Sequence, residues 1–97
     1  MVTHVVLMKF ADRADAPEAK RRLESLAGQV PSLRTMRVTL DTLGLDGCSD
    51  LWLTTTHDSP AALRAYAEHP AHLEVLAWLR PRLAGRAAVD VEDGDGA

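Results

Sequence analysis

The chain holds four histidines and one tyrosine, the side chains best suited to moving protons near neutral pH. Three of these five fall in one segment, Tyr66-Ala67-Glu68-His69-Pro70-Ala71-His72. A helix opened by Pro70 puts His72 at the head of an apolar stripe, with Val75, Leu76, Leu79 and Leu83 following at helical spacing. Tyr66 stands on the preceding stripe with Ala62 and Leu63. His4 alternates with Val6, Met8 and Phe10 in an extended run. If that face of the run meets the helices, His4, Tyr66 and His72 converge on one apolar space. The expected lining of that space is Val6, Met8, Leu23, Leu53, Val75, Leu76 and Leu79.

The chemistry this grouping suits is proton transfer. An imidazole in a partly dry pocket has its charged form disfavoured, so it stays neutral and can act as a base. A neighbouring tyrosine hydroxyl can donate to an enolate or alkoxide as it forms. Proton abstraction next to a carbonyl needs little more. The same residues have a structural reading, in which His72 and Tyr66 are buried and bonded to backbone. His69, just before Pro70, reads as a helix-junction residue, and His57, after a run of threonines, reads as solvent-exposed. A metal site of His4, His72 and Glu68 has no supporting ligand spacing. Cys48 sits in a Gly-containing loop with no base beside it in sequence, which argues against a nucleophile. No phosphate-binding glycine loop or Ser-His-Asp arrangement is visible. The expectation is therefore a site without metal or cofactor.

The elements that must carry these residues follow from patterning. A strand is predicted over Thr3–Phe10, and a helix over Asp15–Gln29 with Asp15 as cap, Pro17 in the first turn and Glu18 completing a capping box. Strands are predicted over Leu33–Leu40 and Asp50–Thr56, separated by a loop that carries Gly44 and Gly47. Asp58-Ser59-Pro60 starts a second helix, which stops near His69 because Pro70 disfavours helical geometry at the residue before it. A further helix runs from Pro70 to about Leu79, and Arg86–Val91 makes a fourth strand. The expected organisation is a single domain over 1–92 with a polar, flexible tail over 93–97.

The order βαββαβ, with a broken second helix, is the α+β ferredoxin-like pattern: a four-stranded antiparallel sheet with helices on one face. The other face would then expose Val5, Leu7 and Trp52. A monomer rarely shows such a patch, so a homodimer is expected, two sheets face to face in a dimeric α/β barrel. The length of 97 residues points the same way, since a small domain buries too little surface to be robust alone. Net charge is −3 and the 11 basic residues are scattered, which argues against nucleic acid. The apolar runs are too short to span a membrane, and the N-terminal one lacks the basic leader and small-residue site of a signal peptide. With one unpaired cysteine, the expected placement is cytoplasmic.

The opening strand from Thr3 to Phe10, the helix ending Gln29-Val30-Pro31, the strand Asp50-Leu51-Trp52-Leu53 and the segment from Ala62 to His72 resemble the stress-responsive A/B barrel (Dabb) family of the dimeric α+β barrel group. The resemblance spans about Thr3 to Val91, and Tyr-x-x-His-Pro-x-His with the early histidine is its most specific part. It implies a homodimeric ferredoxin-like barrel. It implies less about activity, because many members have no assigned reaction, while some, such as the plant olivetolic acid cyclase, close a linear polyketide by aldol condensation. Similarity to that enzyme implies His72 as general base, Tyr66 as its partner and His4 as a pocket histidine. Ala19, Lys20, Leu23 and Glu24 stand where the cyclase has aromatic residues, and Leu83 where it has a tryptophan, so a cavity of different shape and a different substrate are expected.

Two readings remain open. One is a cofactor-independent cyclase or lyase type of enzyme acting on a small hydrophobic, polyketide-like carbonyl compound. The other is a non-catalytic, stress-related or ligand-binding dimer.

Overall fold

The computed structural model describes residues 1–93. The tail expected over 93–97 lies, beyond Asp93, outside the described residues, and Asp93 itself bonds through its N–H to the Met1 carbonyl at 2.9 Å. The chain runs β1 (Val2–Phe10), α1 (Ala16–Glu24), β2 (Thr35–Leu40), β3 (Leu51–His57), α2 (Pro60–Glu68), α3 (Pro70–Leu79) and β4 (Leu83–Glu92). The strands form one sheet in the order β2-β3-β1-β4, every neighbouring pair antiparallel. This is the ferredoxin-like βαββαβ arrangement predicted from the sequence. The sheet of one chain is open, with β2 and β4 at its edges, so the barrel of the sequence expectation is not closed within a single chain.

Alternation along the strands separates two faces. Val6, Met8 and Phe10 of β1, Val38 of β2 and Leu51 and Leu53 of β3 point to the helices and are buried with Ala19, Leu23, Tyr66 and Leu79 in one core. The opposite face carries Leu7 and Trp52, paired across β1 and β3 and 43% and 42% exposed. Val89 and Val91 of β4 extend the same surface, since they pair with Val5 and Thr3. The apolar outer face anticipated from the sequence is therefore present.

Several element ends differ from expectation for local reasons. The helix predicted to reach Gln29 closes at Glu24, where Ser25 caps it: the Ser25 N–H bonds to the Arg21 carbonyl and its hydroxyl donates to the Arg22 carbonyl at 2.6 Å. The chain then tightens, with Leu26 N–H donating to the Leu23 carbonyl and Gln29 N–H to that of Leu26, until Gly28 takes a φ of +85°. Leu26 and Val30 stay buried in these turns, so the apolar stripe outlasts the helix. The cap is also displaced. Asp12, not Asp15, accepts from a backbone N–H, that of Ala14, and opens a short 3₁₀ turn over Arg13–Asp15. Glu18 closes no capping box and instead holds Arg21 and Arg22. Strand β4 begins at Leu83, three residues before the predicted start at Arg86, because the turn ending at Arg82 feeds directly into pairing with Phe10.

One buried charge pins the sheet at the end away from the histidines. Asp50 is 1% exposed; it accepts from Phe10 N–H at 2.8 Å, Arg13 at 3.2 Å and Lys9 at 3.3 Å. Its own N–H donates to the Met8 carbonyl at 2.8 Å. Burial alone would raise its pKa, but the Phe10 N–H and the two cations outweigh it and hold the carboxyl below its ordinary value. Asp50→Ala is expected to destabilise the fold by about 1–3 kcal/mol by stranding the buried Phe10 N–H. A urea-unfolding midpoint equal to wild type would show that the pin contributes nothing.

Candidate active site

A cavity of about 560 Å³ lies between the inner sheet face and the broken helix. Strands β1 and β3 supply its floor with Val6, Met8 and Leu53, and α1 adds Leu23. Tyr66 comes from α2, and His72, Leu76 and Leu79 from α3. His4, Arg80, Arg86 and Asp90 form its polar side. His4, Tyr66 and His72 thus line one space. Of the seven apolar residues expected there, Val75 does not line it. On a helix turning roughly 100° per residue, Leu76 and Val75 fall on opposite sides of His72. Val75 is carried toward α1, where it borders a groove with Leu26 and Arg22.

The break at Pro70 sets the chemistry of His72. A continuous helix would let Ala71 N–H serve the Ala67 carbonyl. Here His69 adopts an extended backbone, and its Nδ1 accepts from Ala71 N–H at 3.1 Å, so His69 caps α3. The Ala67 carbonyl instead accepts from Nδ1–H of His72 at 3.0 Å. A carbonyl cannot donate, so this bond assigns the proton to Nδ1 and leaves the Nε2 lone pair as the basic position. Burial is the main cause lowering the His72 pKa. The Ala67 carbonyl opposes it, and the charges of His4, Arg86 and Arg80 push it further down.

Tyr66 is 1% exposed and lies between two imidazoles, 4.5 Å from the His72 ring centre and 5.0 Å from that of His57. Its hydroxyl is buried and has no hydrogen-bond partner among the described residues. The contact with His72 is ring against ring. Burial pushes the phenol up to about 12, so it remains a donor throughout the neutral range. His4 donates from Nδ1 to the Asp90 carboxylate, its partner directly across β1 and β4.

His57 corrects the sequence reading. It is fully buried, not exposed, because it continues the inward alternation of Leu51, Leu53 and Thr55. Its Nδ1–H donates to the Ser32 carbonyl at 2.9 Å, so its Nε2 accepts from the Thr55 hydroxyl, also at 2.9 Å. Burial lowers its pKa. Its contribution is to support the Tyr66 ring from below. The period of two starting at Leu51 could have revealed it. Asp90, Arg80 and Arg86 also lie outside the sequence reading; Asp90 and Arg86 become visible only when β4 is paired with β1, and Arg80 reaches the cavity from the end of α3. Cys48 is exposed on its loop, away from the cavity. Among the described residues no three His, Cys, Asp or Glu side chains are grouped to hold a metal ion.

Both His57 and His72 titrate in the fold below the unfolded imidazole value of about 6.5. The unfolded chain binds more protons beneath that value. Their contribution to stability is therefore complete above about pH 6.5 and is lost as pH falls from there. Chemical denaturation across pH 8 to 5 should show this loss, and His57→Phe should flatten it. The same variant is expected to be about 1–3 kcal/mol less stable at pH 8, since it leaves Thr55 and the Ser32 carbonyl unpaired.

Known proteins share this architecture. The stress responsive A/B barrel domain family matches residues 2–93. A dimeric ferredoxin-like protein from Bacteroides fragilis superposes with a TM-score of 0.84 at 25% identity, covering 95% of each chain. A dimeric ferredoxin-like protein from Thermobifida fusca gives 0.83 at 26% identity, over 95% of this chain and 90% of that one. A hydroxynitrile lyase from Passiflora edulis gives 0.80 at 15% identity, over 97% and 94%, a likeness of fold alone. No curated protein matches the chain. With its family match running almost end to end, this chain belongs to the stress responsive A/B barrel domain family, Dabb.

Proposed function

We propose that this protein is a cofactor-independent enzyme of the cyclase or lyase type, acting on a small hydrophobic carbonyl compound through the single domain 1–92. The observation that carries the reading is the pairing of a neutral imidazole, its Nε2 free, with a buried and unpartnered phenol lining the same cavity. Nε2 of His72 removes a proton from the carbon next to a carbonyl. The electron pair moves to the carbonyl oxygen, and the Tyr66 hydroxyl donates to the resulting enolate. In an aldol closure the enolate carbon bonds to a second carbonyl carbon of the same chain. The alkoxide so formed takes the proton back from the His72 imidazolium, which restores the base. His4, held by Asp90, orients the substrate.

The working form we propose is a homodimer in the cytoplasm, its outer sheet faces packed together. The exposed Leu7, Trp52, Val89 and Val91 support this, as do the dimeric relatives from Bacteroides fragilis and Thermobifida fusca. No helix among the described residues is long and apolar enough to cross a membrane. The second reading, a dimer that binds a ligand without turnover, draws on the ring-on-ring packing of Tyr66 and His72, which serves a structural role equally well.

Deuterium uptake from D₂O into the α-carbon of nonane-2,4-dione separates the two. Catalysed uptake is expected, reduced by His72→Ala about 10²–10⁴-fold and by Tyr66→Phe about 10²-fold. Its acid limb should lie below pH 6.5, because the His72 pKa is lowered in the fold. Wild-type protein that leaves the exchange at its uncatalysed rate would favour passive binding. Trp52→Asp should shift the sedimenting species from dimer to monomer; a dimer that persists would move the interface elsewhere.

A further inference from the structure

We propose that Arg80 and Arg86 form a carboxylate-binding subsite on the β4 side of the cavity, so that the ligand is an acid: an apolar carbonyl compound carrying a free carboxylate. The inference deepens the carbonyl chemistry proposed above and rests on it for the carbonyl, though not for the carboxylate.

The chain's other cations show what is unusual about these two. Arg13, Arg21, Arg22 and Arg34 each hold a carboxylate of the chain. Arg37 and Arg82 lie over the rings of Trp52 and Trp78. Arg64, Arg80 and Arg86 make neither kind of contact among the described residues, and of these three only Arg80 and Arg86 line the cavity. The one carboxylate in the cavity wall, that of Asp90, is already bonded to His4. The wall therefore presents two arginines with no counter-charge of their own among the described residues, beside an apolar floor of Val6, Met8 and Leu53.

Two elements bring these arginines to one space. Arg80 follows the last turn of α3, and Arg86 faces the cavity from the edge strand, opposite Met8. A guanidinium presents a planar fork of donors that fits a carboxylate by two parallel hydrogen bonds. An alkyl chain can then lie over the floor and bring a carbonyl toward His72 and Tyr66. The arginines also depress the basicity of His72, and a bound carboxylate cancels that effect. The acid that fills the subsite would thus strengthen the base that acts on it.

The probes are octanoate and 2-octanone, similar in length and differing in charge, titrated into the full-length protein at low salt and followed through the His72 ring proton by NMR. Octanoate is expected to bind about tenfold tighter, the effect of one charge-assisted contact. It should also raise the His72 pKa, which 2-octanone should not. In the Arg80→Gln/Arg86→Gln double variant the tenfold preference should vanish while 2-octanone binds as before. Equal affinity for the two probes, a preference that survives the double substitution, or failure of both to bind would each overturn the subsite. Displacement of octanoate by an equal concentration of inorganic phosphate would overturn the carboxylate assignment in favour of a phosphate ester. The outcomes separate from those of the catalytic reading. An octanoate preference in a protein that exchanges no α-protons removes only the chemistry, and exchange without the preference removes only the subsite.

Discussion

Pro70 has no N–H and cannot sit inside a helix without breaking it. From that one constraint the geometry of the site unfolds. The chain must turn at His69, and the turn leaves the Ala67 carbonyl without the partner a continuous helix would provide. His72 reaches back to fill that place, and in doing so commits its Nδ1 proton. The tautomer is thus fixed by the backbone and not by another side chain. His69 completes the arrangement by capping the new helix with its own ring. A proline placed for a bend becomes the reason that Nε2 of His72 carries the lone pair.

The rings of His57, Tyr66 and His72 carry that order inward. His57 has both nitrogens occupied and so cannot turn over. Tyr66 rests against it and His72 rests against Tyr66. The cost of burying an unpaired phenol is offset by this packing and by the core around it. Apolar burial then shifts both groups in the directions that suit proton transfer: the imidazole is kept neutral and the phenol protonated.

The βαββαβ order was legible because each element carries its own local signal. Alternation marks the strands, and Ser59-Pro60 and His69-Pro70 mark two helix starts. The errors arose where a local signal outlived its structure or was masked. Leu26 and Val30 keep the helical stripe going through turns that are no longer helical. The threonines before His57 hide a period of two that would have placed it inside. Val75 and Leu76, three and four residues past His72, share one apolar stripe in the sequence yet diverge to opposite sides of His72 on the helix, and only Leu76 meets the cavity. The polar wall was not legible at all. Asp90 and Arg86 meet the cavity through the β1–β4 register, which depends on contacts 80 or so residues apart and leaves no mark in either strand alone.

Strand β1 has a consequence for how such a chain can change over time. Its even positions, His4, Val6 and Met8, line the cavity, while Val5 and Leu7 on the odd positions face the opposite surface. Neighbouring codons therefore answer to different selective pressures. Substitutions can remodel the interior on one set while the other set keeps the exterior constant. A lineage built on this strand can explore new ligands without renegotiating its surface, and the reverse holds as well.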